Sequence, residues 1–130
     1  MNTREIKFRG KSKETAKWVY GYVLKFLDVT TYILVLNKSY DTFDKIEVIP
    51  ETVGQYTGLK DKNGKEDLYE FDICKTQNEI VFIIKWDNDA SNFSTSYTKS
   101  FSLGPNLGWV HSNTEIEVIG NLFDNPELLK

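Results

Sequence analysis

The chain has 130 residues, 14% of them aromatic, and a formal net charge of -3. That length suits one domain with a core of its own, and no apolar run approaches the ~20 residues that a membrane helix needs. The charged opening lacks the apolar stretch of a secretion signal and the single cysteine, Cys74, excludes an intrachain disulfide, so a soluble cytoplasmic protein is expected.

In chain order the dominant period is two, which is the strand period. "REIKFR" sets Ile6 and Phe8 on one face. "KWVYGYVLKF" alternates Trp18, Tyr20 and Tyr22 against Val19, Gly21 and Val23. "TYILVLN" is a continuous apolar run, as expected of a strand buried on both faces. "FDKIEVI" alternates again, with an irregularity expected near Asp44 and Lys45, and Pro50 ends the strand because it has no amide to donate. Gly54 and Gly58 bracket a short extended piece, "QYT". "LKDKNGKE" predicts a hairpin tip, with the Asp61 carboxylate on the backbone and Gly64 at positive φ.

Beyond that tip, Tyr69, Phe71 and Ile73 alternate with Glu70, Asp72 and Cys74, which predicts a half-exposed strand with both carboxylates on its outer side. "EIVFIIKW", "STSYTKSFSL" and "IEVIGNLF" read as further strands. No window of ten or more residues carries a helical stripe; the one helical signal is "NPELL", with Asn125 as cap and Pro126 at the first helical position. Short strands between turn signals predict a mainly β, antiparallel fold, a small barrel or sandwich. Trp18 and Trp86 are expected in the core and Trp109, in a glycine-flanked loop, partly outside it.

Chemistry has few candidates. Glu66, Asp67, Glu70 and Asp72 crowd together, but "DKNGKED" lacks the ligand spacing of a calcium loop, so no metal is expected. Cys74 and His111 are the only thiol and imidazole, and no glycine-flanked nucleophile or following helix supports a dyad. "GPNLG" lacks the lysine of a phosphate-binding loop. No catalytic residue, no cofactor and no membrane contact is expected, and the protein reads as a non-enzyme.

Charge is uneven. Residues 1 to 27 carry seven basic residues against two acidic ones, a balance of +5, and the remaining chain carries -8. Lys11, Lys13 and Lys17 lead into Trp18, Tyr20 and Tyr22, the pattern of a basic, aromatic strand surface that holds nucleic acid. The competing reading, that these aromatics fill the core and the lysines meet acidic groups of the fold or of a second subunit, is preferred.

"REIKFRGKSKETAKWVYGYV", "VIPETVGQYTGLKDKNGKEDLYEFDICK" and "IEVIGNLFDNPELL" together resemble the YopX family of phage and prophage proteins. The match covers about half of the chain directly and brackets the rest. The chain departs from the family pattern by one extra residue between Glu66 and Tyr69, and by Phe71 where the family tends to have glycine. Phe71 there implies a different backbone path or a plugged gap. The resemblance implies a single domain over residues 1–130, with an N-terminal β section to about 55 and an SH3-like small barrel over about 56–130. It also implies a bacterial host cytoplasm, and it carries no activity. The expected function is a non-enzymatic binding or assembly module with an unknown protein partner. The alternative is nucleic-acid binding through Lys11, Lys13, Lys17, Trp18, Tyr20 and Tyr22. A homo-oligomer with the N-terminal strands at its contact is also expected, from the opposed charges and open sheet edges.

Overall fold

Alternating sequence becomes strand almost throughout the computed structural model, which describes residues 5–27, 29–97 and 103–129. Among these residues there are eleven strands, one short α-helix and two 3-10 turns. The chain divides into two units, Met1–Tyr56 and Thr57–Lys130.

In the first unit, β1 (Phe8–Lys11), β2 (Trp18–Lys25), β3 (Thr31–Asn37) and β4 (Thr42–Glu47) form an antiparallel meander, and the start of β5 (Gly54–Lys60) lies on the other side of β1. β2 changes partner midway. Its residues Trp18 to Gly21 pair with β1, and Tyr22 to Lys25 pair with β3. Gly21 sits at the change, where a Cβ would fall 2.0 Å from the Leu34 carbonyl oxygen. No side chain fits there, so glycine lets the strands approach and the sheet coil.

The coil brings the end of β4 back to the end of β1. Val48 forms a bridge with Ser12, the Ile49 amide donates to the Lys11 carbonyl at 2.9 Å, and the Lys13 amide to that of Glu47 at 3.0 Å. Ile33 and Val48 are buried inside the coil, and Gly10 lies against the Val48 side chain, which a Cβ would meet at 3.2 Å. Pro50 then opens a 3-10 turn, Pro50–Thr52, where the Thr52 hydroxyl receives the Lys11 amide at 2.9 Å.

In the second unit the Asp61–Gly64 turn joins β5 to β6 (Asp67–Tyr69). Gly64 has φ 66°, as the Asn-Gly signal predicts, and the Gly64 amide donates to the Asp61 carbonyl at 2.9 Å. β7 (Asp72–Thr76), β8 (Val81–Asp87), β9 (Asn92–Tyr97), β10 (Leu103–Asn106) and β11 (Ile116–Asn121) form an antiparallel sheet in the order β10-β9-β8-β7-β11. Its core is Leu68, Cys74, Phe82, Ile84, Leu107, Val110 and Ile116. Each of the large side chains contributes roughly 1.5–3 kcal/mol by leaving water.

Leu107 and Val110 come from α1 (Leu107–Asn113), which the sequence reading missed. Its start is capped by Asn106, whose side chain accepts the Trp109 amide at 2.7 Å. His111 therefore belongs to a helix rather than a loop.

Several expectations are corrected. The described residues form open antiparallel sheets, not a closed small barrel, because β10 and β11 end the second sheet without pairing to each other. β3 is buried on one side only, with Leu36 exposed. The β3–β4 register is continuous through Asp44 and Lys45. Trp86 is 41% exposed, because it stands at the far end of the β8–β9 hairpin, edge-on to Phe93 with ring centroids 5.0 Å apart. Trp109 is exposed as expected. Residues 98 to 102 of the "STSYTKSFSL" strand lie outside the described residues. At the C-terminus, Pro126 opens the expected short turn, a 3-10 turn over Pro126–Leu129 whose Leu128 amide donates to the Asn125 carbonyl at 3.1 Å, while the Asn125 side chain accepts the Asn121 amide at 3.2 Å.

The alternation over residues 69–74 is broken by a tight turn at Glu70 and Phe71. Asp72 is buried rather than outward, and its carboxylate accepts the Tyr69 amide at 2.8 Å. Phe71 has φ 75°, a conformation suited to glycine. The backbone path of a glycine is thus kept by a phenylalanine. It is held there by the Phe71 amide donating to Ile84 at 2.8 Å, the Leu122 amide donating to Phe71 at 3.0 Å, and an edge contact between the Phe71 and Phe123 rings at 5.3 Å. Left-handed strain on a non-glycine residue is on the order of 1–3 kcal/mol. Replacement of Phe71 by glycine and by alanine removes the ring in both cases, but only glycine removes the strain. Phe71→Gly should be more stable than Phe71→Ala by about 1 kcal/mol, the reverse of the usual strand order. Urea unfolding midpoints measure the difference; an alanine variant equal to or better than the glycine one would refute the strain.

Candidate functional site

Directly paired residues of antiparallel strands share a face. The registers therefore place Arg9 and Lys11 of β1, Trp18, Tyr20, Tyr22 and Leu24 of β2, Tyr32, Leu34 and Leu36 of β3, and Phe43, Lys45 and Glu47 of β4 on one side. The other side carries Ile33 and the glycines and valines of the coil interior. Along residues 18–23 of β2 the large side chains are thus outside and the small ones inside, opposite to the preferred core reading of Trp18, Tyr20 and Tyr22.

Tyr20 is 49% exposed, Tyr22 54% and Phe43 52%, while Trp18 is half-buried. Tyr22 meets Phe43 edge-on at 6.1 Å. Cations lie over the rings. The Arg9 guanidinium is 4.7 Å from the Trp18 centroid and the Lys11 ammonium 5.8 Å. Lys45 is 4.7 Å from the Tyr32 ring and 5.5 Å from that of Phe26, which itself meets Tyr32 edge-on. Phe26, Leu27, Thr30, Tyr32 and Lys45 line a shallow cleft of about 470 Å³. Such contacts are worth about 0.5–1 kcal/mol each at exposed sites, and they hold the ammonium and guanidinium groups close against the aromatic surface.

Of the sequence-derived candidates, Lys11, Trp18, Tyr20 and Tyr22 fall together on this face. Lys13 and Lys17 lie in the turn between β1 and β2, where the Lys13 ammonium donates to Glu47 at 3.1 Å and Lys17 is exposed. Sequence reasoning missed Arg9, Tyr32, Phe43 and Lys45. The strand register would have joined them, but the irregularity expected near Asp44 hid the odd-numbered alternation of β4.

Cys74 and His111 sit in different surroundings. Cys74 is buried in the second core, and His111 Nε2 lies 2.8 Å from the Lys60 carbonyl. That carbonyl can only accept, so Nε2 carries the proton. The acidic cluster disperses into structure: Asp67 pairs with Lys60 at 2.6 Å, and Asp72 receives Tyr69. Asp61 is turned onto its own loop, where its Oδ1 accepts the Asn63 and Lys65 amides at 3.1 Å and the Glu66 amide at 3.3 Å. Burial pushes its carboxyl up, but the amides of Glu66, Lys65, Asn63 and Gly64 together outweigh burial and hold the pKa below the usual value.

These features define an antiparallel β protein whose outer sheet face is aromatic and cationic. The family model described as YopX protein matches residues 7–130, and the chain belongs to that family. No curated protein matches the chain. Among the described residues, no helix is long and apolar enough to cross a membrane.

The Asp61 geometry has a pH consequence. A carboxyl whose folded pKa is depressed adds stability above its unfolded pKa, about 3.9, and that stability is lost as pH falls through the folded pKa. Asp61→Asn should lower the urea midpoint at neutral pH, and its deficit should shrink as pH falls from about 5 towards 2. A deficit that stays constant across this range would rule out the carboxylate as its source.

Proposed function

We propose that this YopX-family chain is a non-enzymatic binding module whose working surface is the outer face of β2, β3 and β4, acting in a bacterial cytoplasm as a phage or prophage product. The observation that carries the reading is the half-exposed row of Tyr20, Tyr22 and Phe43 on one sheet face. Large rings in water forgo burial energy that the fold could have taken, and exposed apolar patches of this kind mark interaction sites. Tryptophan and tyrosine are also enriched in binding hot spots. The non-enzymatic part is supported by the engagement of the two residues best suited to nucleophilic chemistry: Cys74 lies within a core, and His111 is bound to a main-chain carbonyl. The resemblance to phage and prophage proteins of the family supports the proposed origin.

Site-specific photocrosslinking tests the surface. A photoreactive phenylalanine analogue at Tyr22 should crosslink to macromolecules in cells several times more strongly than the same group at Glu79, an exposed position in the second unit. Equal labelling at the two positions would remove the proposed face.

A further inference from the structure

We propose that the occupant of this face is a single-stranded nucleic acid, lying along β2 with bases stacked on Trp18, Tyr20 and Tyr22 and phosphates met by Lys11 and Lys45. This deepens the binding reading and rests on it.

Spacing is the first argument. Alternate residues of a strand stand about 6.6–6.8 Å apart. Stacked bases repeat at about 3.4 Å, so an aromatic ring inserted between successive bases requires twice that distance. Trp18, Tyr20 and Tyr22 occupy three successive positions of this kind on one face of β2. Stacking needs only a π-face, so a row of rings holds a strand without reading its sequence.

Charge is the second. Among the β1–β4 positions on this face the only carboxylate is Glu47, and it is paired with Lys13 at 3.1 Å. Lys11 stands at the Trp18 end of the row, and Lys45 lies across β3 against Tyr32. A polyanion thus meets cations on both flanks of a ring row. The charge of the whole chain would disfavour a polyanion, since it is -3, but residues 1 to 56 carry +2 and the excess acid lies in the remainder. A protein partner would use the rings equally well, but it would not call for cations flanking them on both sides.

The test uses the full chain, with fluorescently labelled oligothymidylate and oligouridylate of about fifteen nucleotides, read by anisotropy at about 50 and about 200 mM salt. In a Trp86→Phe/Trp109→Phe background, emission from Trp18 reports stacking. We expect saturable binding with quenching of Trp18. Affinity should fall by about tenfold between the two salt concentrations if two or three phosphates are neutralised. Tyr20→Ala/Tyr22→Ala should lose about tenfold or more, while Tyr20→Phe/Tyr22→Phe, which keeps the rings, should bind like wild type.

Should the alanine variant fail to fold, Lys45→Gln, at an exposed position on the face, should weaken binding severalfold and flatten the salt dependence. Absence of binding to either oligonucleotide at low salt overturns the proposal. So does binding indifferent to the tyrosine rings or, where that variant is unfolded, to Lys45. The two probes separate DNA from RNA. Strong crosslinking at Tyr22 to protein or to a second copy, with no oligonucleotide binding, overturns the nucleic-acid occupant and leaves the binding face standing. Equal crosslinking at Tyr22 and Glu79 removes the face itself.

Discussion

The close approach at Gly21 governs the first unit. With the Leu34 carbonyl oxygen 2.0 Å from where a Cβ would stand, β2 can pass from one partner strand to the other without a break. That passage coils the sheet and brings Val48 beside Ser12. It also decides which side chains are inside. A coil this tight encloses little volume, and Gly10 pressed on Val48 is a measure of it. Isoleucine and valine fit within, and tryptophan and tyrosine do not. The outward aromatic face is therefore a steric result of a glycine facing the other way.

In the second unit the turns take on the comparable constraint. Asp61 satisfies several amides of one hairpin with a single carboxylate, and Asp72 does the same for Tyr69 across the next turn. These are local solutions to the cost of unpaired backbone groups. They explain why an acidic stretch that looks like a ligand cluster in the sequence is occupied by the fold itself.

Much of this was legible in the sequence, but not evenly. The Gly64 turn was, because Asp-x-Asn-Gly has one favourable geometry. The strands were, because period two persists even where one element is short. The inward side of β2 was not, since Val19, Gly21 and Val23 and Trp18, Tyr20 and Tyr22 are both plausible core faces. Volume decides between them, and enclosed volume belongs to the coil rather than to any one strand. α1 was missed because seven residues with two buried positions, Leu107 and Val110, are too few for a repeating stripe. The buried Asp72 was missed because alternation presumes a continuous strand, and Phe71 breaks it from a conformation that its residue type gives no warning of.

Cys74 has a further consequence. It is the chain's single thiol and is wholly buried, in a strand paired on both sides by β8 and β11. A thiol reagent has no route to it while those strands are joined, so its rate of modification is a clock for the opening of the second core. Because an alkylated sulfur no longer fits the space among Leu68, Phe82 and Ile84, each opening that is caught by an alkylating reagent is also one that cannot be reversed. The same atom that completes the packing thus keeps a lasting mark of its loss.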